Sequence, residues 1–344
     1  MAAPFRLGLI GAGRMGRTHL RAFSGSERVA VTAIAEVSTE ARRAVAAPGI
    51  AVYPAIADML DDGGVDGVLI TAPTDQHLQV ITEVAARRLP ILCEKPCGLT
   101  AGQTRAAAKA ATAAGVPFQV AYWRRYVPAL RALRDQITGG ELGVVHLVSC
   151  YQWDEGPPPA AFRAHSGGIA IDMGVHEFDQ LRWLTGQDIS HLSAVAAGLI
   201  PDGLGEAPHR TPDVDSAQVI AQLSGGGTGF ISLGRYHPAG DMARAEAFGT
   251  HGTARCDFLD PADGVRAQLE ALRLQAESFA EFVAGGRCAG ATAADAVAAM
   301  DAAELAAAAI PALSGAGPGG PEGPGGLEGP GGLEGPGGLE GPEA

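Results

Sequence analysis

Lys95, in the stretch CEKPCG (93–98), is one of only two lysines among 25 basic residues. Arginine pairs with anions as well as lysine does, but it stays protonated at any working pH and takes no part in proton transfer. A lysine kept here is either a solvent-facing residue before a proline turn or a member of a proton network. A second constellation, SGGIAIDMGVHEFDQLRWL (166–184), sets Asp172 four residues before His176. If a helix has begun by Asp172, both side chains leave one face. Two readings stay open. The pair is a helix-stabilising Asp–His couple with Asp172 as N-cap, or it is a general base with a carboxylate partner. The second reading has a chemical use: oxidising an alcohol requires something to take the hydroxyl proton, and imidazole titrates near neutral pH. A metal site adding His165 is not favoured, because that residue has no helical spacing to the other two; no metal is expected.

Gly11, Gly13 and Gly16 form G-x-G-x-x-G directly after an apolar run and at the mouth of a helical pattern. The first glycine permits a tight turn, the second lets the backbone approach a pyrophosphate, and the third lets helix and strand pack closely. The phosphates would meet free amides at the helix start. Glu36 follows 20 residues after Gly16, at the end of VTAIAE, where a carboxylate accepts both ribose hydroxyls and repels a 2′-phosphate. NAD is therefore the expected cofactor, with NADP possible because Ser38, Arg42 and Arg43 lie close by. The loop TAPTDQH contributes Thr71, Pro73 and His77 at the carboxyl edge of a strand; His77 is read as a helix-start residue rather than a catalytic one, and the loop is assigned to cofactor contact. The candidate cofactor surface is Gly11, Gly13, Arg14, Met15, Gly16, Glu36, Thr71, Pro73, His77, Glu94 and Lys95.

The elements that must position these residues are legible in outline. From 5 to 121, continuous apolar runs alternate with helical patterns, as expected of a doubly wound parallel sheet buried on both faces. After Val127 come one helix (PALRALRDQITGG), the run VVHLVSCYQW, a proline-rich loop, and a helix from about Met173 to Leu184. Alternating segments follow near 193–200, 216–223, 228–233, 244–248 and 253–258, and their turns suggest an antiparallel sheet. Helices near 269–284 and 293–309 close the fold, the last expected to pack back on the first domain. The fold class is thus α/β: an N-terminal Rossmann domain over 1–122, then an α+β domain over 123–313 with a mainly antiparallel open sheet. From Gly317 glycine recurs every third residue, and EGPGGL repeats three times. The third triplet position is never proline, so 314–344 read as a disordered tail rather than a collagen helix.

A net charge of −13 argues against nucleic acid or an anionic membrane as partner. No apolar run approaches the 18 or so residues of a membrane span. The N-terminus enters a strand with no room for a secretion signal. The five cysteines contain no C-x-x-C pair and read as reduced thiols. A soluble, cytoplasmic protein is expected.

Taken in order, GLIGAGRMGRTHL, TAPTDQH, CEKP, WRRY and GGIAIDMGVHEFDQLRWL resemble the glucose-fructose oxidoreductase, inositol dehydrogenase and MocA-like (Gfo/Idh/MocA) family over roughly residues 5 to 310. The resemblance implies that His176 is the base, that Lys95 orients and polarises the reacting hydroxyl, and that Asp172 fixes the histidine or a substrate hydroxyl. It also implies a homo-oligomer, dimer or tetramer, built on the open sheet. Within the family, PPPAAFRAHSGGIAIDM and HEFDQLRWL look most like inositol 2-dehydrogenases, which implies oxidation of myo-inositol to its 2-keto form. Arg124 matches a substrate-facing arginine of such enzymes, and Trp153 and Asp154 fall on further substrate positions. Trp153 departs from the arginine often found there, and YHPAGDMARAEAFG (236–249) lacks an aromatic YGYD pattern. The alternatives are a dehydrogenase of another sugar or sugar derivative, an NAD-dependent glycosidase like some relatives, or a non-catalytic nucleotide-binding regulator on the same scaffold.

Overall fold

Six short apolar runs build the first sheet. β1 (Phe5–Ile10), β2 (Val29–Ala35), β3 (Ala51–Tyr53), β4 (Gly67–Ile70), β5 (Ile91–Cys93) and β6 (Phe118–Val120) lie parallel in the order β3-β2-β1-β4-β5-β6. These are the coordinates of a computed structural model that describes residues 3–163, 165–197, 213–259 and 263–310. In β4 Val68, Leu69 and Ile70, and in β5 Ile91, Leu92 and Cys93, are all wholly buried. Consecutive burial means that both sheet faces are covered, and each such aliphatic side chain contributes roughly 1.5–3 kcal/mol. The covering helices are α1 (Arg14–Phe23), α2 (Thr39–Val45), α3 (Ile56–Asp61), α4 (His77–Ala86) and α5 (Ala101–Ala114). Ser38 caps α2 by accepting from the Ala41 amide at 3.2 Å, and Thr100 caps α5 by accepting from the Gln103 amide at 3.1 Å. Strand order reverses between β1 and β4, and ligands of such sheets bind outside the carboxyl ends at that switch point.

The second sheet holds β7 (Val145–Trp153), β8 (Ile189–Ala197), β9 (Ser216–Leu223), β10 (Thr228–Gly234), β11 (Met242–Gly249) and β12 (Thr253–Leu259) in the order β12-β11-β7-β10-β9-β8. The turn pattern alone suggests an antiparallel sheet, and most neighbours are antiparallel. The exception is central: β7 pairs parallel with β10. A parallel pair needs a long crossover, and the chain between β7 and β10 supplies one containing two helices and the hairpin of β8 and β9. The helices of this half are α6 (Pro128–Thr138), α7 (Ala160–Arg163), α8 (Val175–Thr185), α9 (Gly264–Val283) and α10 (Ala293–Ala309). A π-helical turn, Ala170–Gly174, runs directly into α8, so the helix starts before the Met173 that the sequence suggests. Similarly, α9 starts at Gly264 rather than near 269.

One face of this sheet is packed under helices. Along β9 Ala217, Val219, Ala221 and Leu223 are buried, while Ile220 between them is 63% exposed. Val195 on β8 is likewise exposed, so the other face carries apolar residues in the open. Helix α10 meets the first sheet's flank: the Ala101 amide donates to Glu304 Oε1 at 2.8 Å, and Arg105 pairs with Asp301 at 2.7 Å. Its start carries a capping box between Thr292 and Asp295. Among the described residues no helix is long and apolar enough to cross a membrane. The tail beyond 313 lies outside the described residues, as do residues 198–212 beyond β8.

Candidate active site

The glycine loop divides its labour as the spacing predicts. Gly11 has φ +94°, and a Cβ there would lie 2.8 Å from the Ala72 amide nitrogen. At Gly16 a Cβ would sit 2.2 Å from the Gly11 carbonyl oxygen, so helix and strand meet only over hydrogen. A Cβ on Gly13 would meet nothing within 4 Å among the described residues beyond its chain neighbours, which leaves an open cradle at the N-terminus of the ten-residue α1. Arg14 is exposed and Met15 half-buried beside that opening. Thr71 donates to the Gly11 carbonyl at 2.5 Å and clamps the turn, while Pro73 stands exposed at the same edge.

Glu36 reaches this loop. Its carboxylate accepts from the Ala12 amide at 2.6 Å and the Ser38 amide at 2.7 Å. Arg42, the residue that would favour a 2′-phosphate, instead donates to the carbonyls of Glu36 and Val37 and to Thr39. An open cradle, a helix start and a carboxylate at the strand tip together fit a dinucleotide. Two substitutions separate cradle from packing. Gly13→Ala is expected to leave the melting temperature of the cofactor-free protein unchanged and to weaken NAD⁺ binding roughly tenfold, since an intruding methyl costs on the order of 1–3 kcal/mol. Gly16→Ala lowers the melting temperature itself. Thermal melts and calorimetric NAD⁺ titration of both variants check this, and identical behaviour would refute the division.

His77 plays a different part from the cofactor contact proposed above. It is buried as the first residue of α4, with Nδ1 2.7 Å from the Pro96 carbonyl and Nε2 2.8 Å from the Ala72 carbonyl. Both nitrogens face main-chain carbonyls, of which the single N–H of a neutral ring bonds one, so the ring lies between two edge loops and turns neither nitrogen toward a ligand. Burial lowers its pKa against the pull of the two carbonyls.

At the end of β5, Glu94 Oε2 accepts from the Lys95 amide at 3.1 Å, while Oε1 lies 2.6 Å from Nε2 of the fully buried His19 on α1. The glycine helix is thereby tied to the lysine's backbone. Lys95 Nζ donates to the Asp172 carbonyl at 2.9 Å, which brings the π-turn over the strand edge. Lysine has three N–H donors, and among the described residues only the Asp172 carbonyl takes one, which leaves two for a ligand.

His176 sits one step further along, 8% exposed, with the rings of Tyr122 and Trp123 edge-on to it. Its Nδ1 is shut from solvent and has no hydrogen-bond partner among the described residues, which leaves Nε2 as the nitrogen able to meet a ligand. Burial, with the charges of Lys95 and Arg124 adding to it, holds its pKa well below the ordinary 6.5. The imidazole is neutral at pH 7 and ready to accept a proton. Among the described residues no hydrogen bond joins it to Asp172, whose carboxylate instead faces Arg235 Nη1 at 3.5 Å.

Two residues expected at the substrate are placed otherwise. Arg124, 3% exposed, donates to Glu177 and Gln180 through Nη1 and to Gln152 at 2.5 Å through Nη2. It braces the site from behind, because its charge is already used to offset the buried Glu177. Trp153 lies on the opposite face of the sheet from Gln152. Its Nε1 donates to Ser232 at 3.1 Å, and its ring lies over Gly234, where a Cβ would fall 2.1 Å from Cε3. Strand alternation forbids it from stacking on anything bound near His176. Asp154 does belong to the neighbourhood: it accepts from Gln152 at 3.0 Å, and burial raises its pKa, with the charges of Asp241 and Asp172 acting the same way. Among the described residues no group of three or more His, Cys, Asp or Glu side chains is placed to hold a metal ion.

Residues 5–122 match the model of an oxidoreductase family with an NAD-binding Rossmann fold, and residues 130–255 match the GFO/IDH/MocA C-terminal domain. The chain belongs to the Gfo/Idh/MocA oxidoreductase family. Its relatives include the rhizopine catabolism protein MocA of Rhizobium meliloti, 48% identical over 88% of this chain and 94% of that protein. An inositol 2-dehydrogenase of Rhizobium meliloti strain 1021 is 34% identical over 74% of this chain and 76% of its own length. A myo-inositol dehydrogenase from Corynebacterium glutamicum has the same fold, with a TM-score of 0.81 at 24% identity, covering 89% of this chain and 96% of that one. The cofactor of this Gfo/Idh/MocA oxidoreductase is NAD.

Several residues around the site of this family member escape a reading of motifs. His19 is a polar residue on the buried side of α1 beside Gly16, Ala22 and Phe23, and that misplaced polarity was the available signal. Glu177 and Gln180 are buried polar residues on a helix whose burial runs all round it. Arg235 follows the apolar run GFISLG with no spacing to any site residue.

Proposed function

We propose that this chain oxidises a secondary hydroxyl of a cyclic polyol or sugar with NAD⁺, an inositol being the first substrate to test. The observation that carries this reading is the neutral, buried His176 beside the two free donors of Lys95 at the carboxyl edge of a dinucleotide sheet. NAD⁺, when bound, supplies the hydride acceptor. His176 Nε2 takes the hydroxyl proton, which its lowered pKa permits at neutral pH. Lys95 donates to the same oxygen and stabilises charge as the proton leaves. The Asp172 carboxylate orients a neighbouring hydroxyl, since it is turned from the His176 ring. In this reading residues 1–122 hold the cofactor, residues 123–313 the substrate, and the uncovered apolar face of the second sheet joins subunits of a homo-oligomer. Support for inositol comes from the inositol 2-dehydrogenase relative; the MocA relative, with its higher identity, adds a rhizopine to the candidates.

The test is nicotinamide absorbance with purified protein, NAD⁺ or NADP⁺, and a panel of myo-inositol, scyllo-inositol, a rhizopine, glucose and xylose. Reduction of NAD⁺ by a cyclic polyol is expected. Silence across the panel from protein that still binds NAD⁺ would overturn the reading.

A further inference from the structure

Arg235 is wholly buried directly after β10. A guanidinium taken out of water is strongly unfavourable unless its donors are paired. Asp213 meets most of that need: Nη2 donates to Asp213 Oδ1 at 2.9 Å and Nε to the same oxygen at 3.3 Å. Asp213 is itself buried and is approached by Arg163 at 3.8 Å. The Arg235 main chain is pinned as well, its amide donating to the Asp215 carbonyl at 2.9 Å. The remaining arm, Nη1, lies 3.5 Å from Asp172 Oδ2 and 3.8 Å from Met173 Sδ.

Asp172 is therefore held at two ends. Lys95 takes its carbonyl, and Arg235 takes one oxygen of its carboxylate. The Asp172 side chain is 16% exposed, so it reaches solvent while its partner does not. A planar fork clamped by one carboxylate sets both the position and the angle of what its free arm touches, which a flexible ammonium does not. We infer that Arg235, anchored by Asp213, is a positioning residue that aims the Asp172 carboxylate at the substrate. The inference rests on the reading of Asp172 as a substrate contact.

A double-mutant cycle tests it on the full chain with NAD⁺ and myo-inositol. Arg235→Gln is expected to lower kcat/KM by roughly the factor lost in Asp172→Asn, with the affinity for NAD⁺ unchanged, and to cause little further loss in the Asp172→Asn background, since residues acting through one contact are non-additive. Arg235→Lys recovers only part of the loss. Equal losses of Arg235→Gln in both backgrounds would overturn the inference, as would full recovery by lysine. Should Arg235→Gln fail to fold, Asp213→Asn enters the same cycle with the same expectation. A readout independent of turnover separates this inference from the proposed function: crystal structures of wild type and Arg235→Lys. A turned Asp172 carboxylate over an intact Lys95–Asp172 contact supports positioning even if no polyol is oxidised, and an unmoved carboxylate refutes it.

Discussion

Alanine at His176 lowers kcat for polyol oxidation by roughly 10²–10⁴, the range for loss of a general base. NAD⁺ binding stays intact, because the glycine loop and Glu36 lie on other elements. The pH profile carries the finer prediction. Burial, Lys95 and Arg124 all hold the imidazole well below 6.5, so the base is neutral across the neutral range. The acid limb of kcat/KM, which reports the free enzyme's base, therefore falls below 6.5. It should be read from initial rates between pH 5 and 8 in wild type and His176→Gln, the latter to keep volume. Unchanged turnover in the alanine variant at pH 7, or an acid limb at or above 6.5, would remove His176 from the mechanism.

Methionine at Lys95 abolishes two things at once. The substrate loses a cationic donor where negative charge develops, which costs on the order of 10²–10³ in kcat. The Asp172 carbonyl also loses the 2.9 Å contact that draws the π-turn over the edge of the first sheet. Because the Lys95 charge is one of the causes lowering the His176 pKa, residual activity in Lys95→Met shows an acid limb moved upward toward 6.5. Arginine does not rescue: the larger planar guanidinium cannot take the place of a compact ammonium between the Asp172 carbonyl and the substrate oxygen. Steady-state kinetics of Lys95→Met and Lys95→Arg with calorimetric NAD⁺ binding decide this. Wild-type rates in the arginine variant would show that charge alone suffices and that the lysine has no proton-network role.

Where function depends on short-range spacing, the sequence was explicit. The tight turn at Gly11, the close packing at Gly16 and the open cradle at Gly13 are properties of six consecutive residues after a strand. Consecutive apolar residues in β4 and β5 announced burial on both faces, and thus a parallel sheet, because alternation would have exposed one side. The edge positions of Thr71 and Lys95 followed from the ends of those runs. The second sheet was legible only as strands: its alternating segments matched β9 to β12 closely, yet nothing local showed that β7 would be drawn between β11 and β10.

What the neighbours decide lay beyond that reach. Trp153 was placed toward the substrate only by the family resemblance, and the pairing of β7 with β10 and β11 revealed which parity of that strand meets the helices. His77 looked available until two carbonyls, from loops on either side of it in space, occupied its ring. Arg124 looked like a substrate contact until Glu177, 53 residues away, claimed it. The residue types and their order thus determined the fold class and the cofactor loop, while Lys95, Asp172 and His176 stood out from the sequence only as candidates whose roles came from the family resemblance. The tertiary structure alone decided which of the site's polar groups are already spent on one another, because their partners come from 50 to 80 residues away along the chain, as with His19 and Glu94, Arg124 and Glu177, or Lys95 and the Asp172 carbonyl.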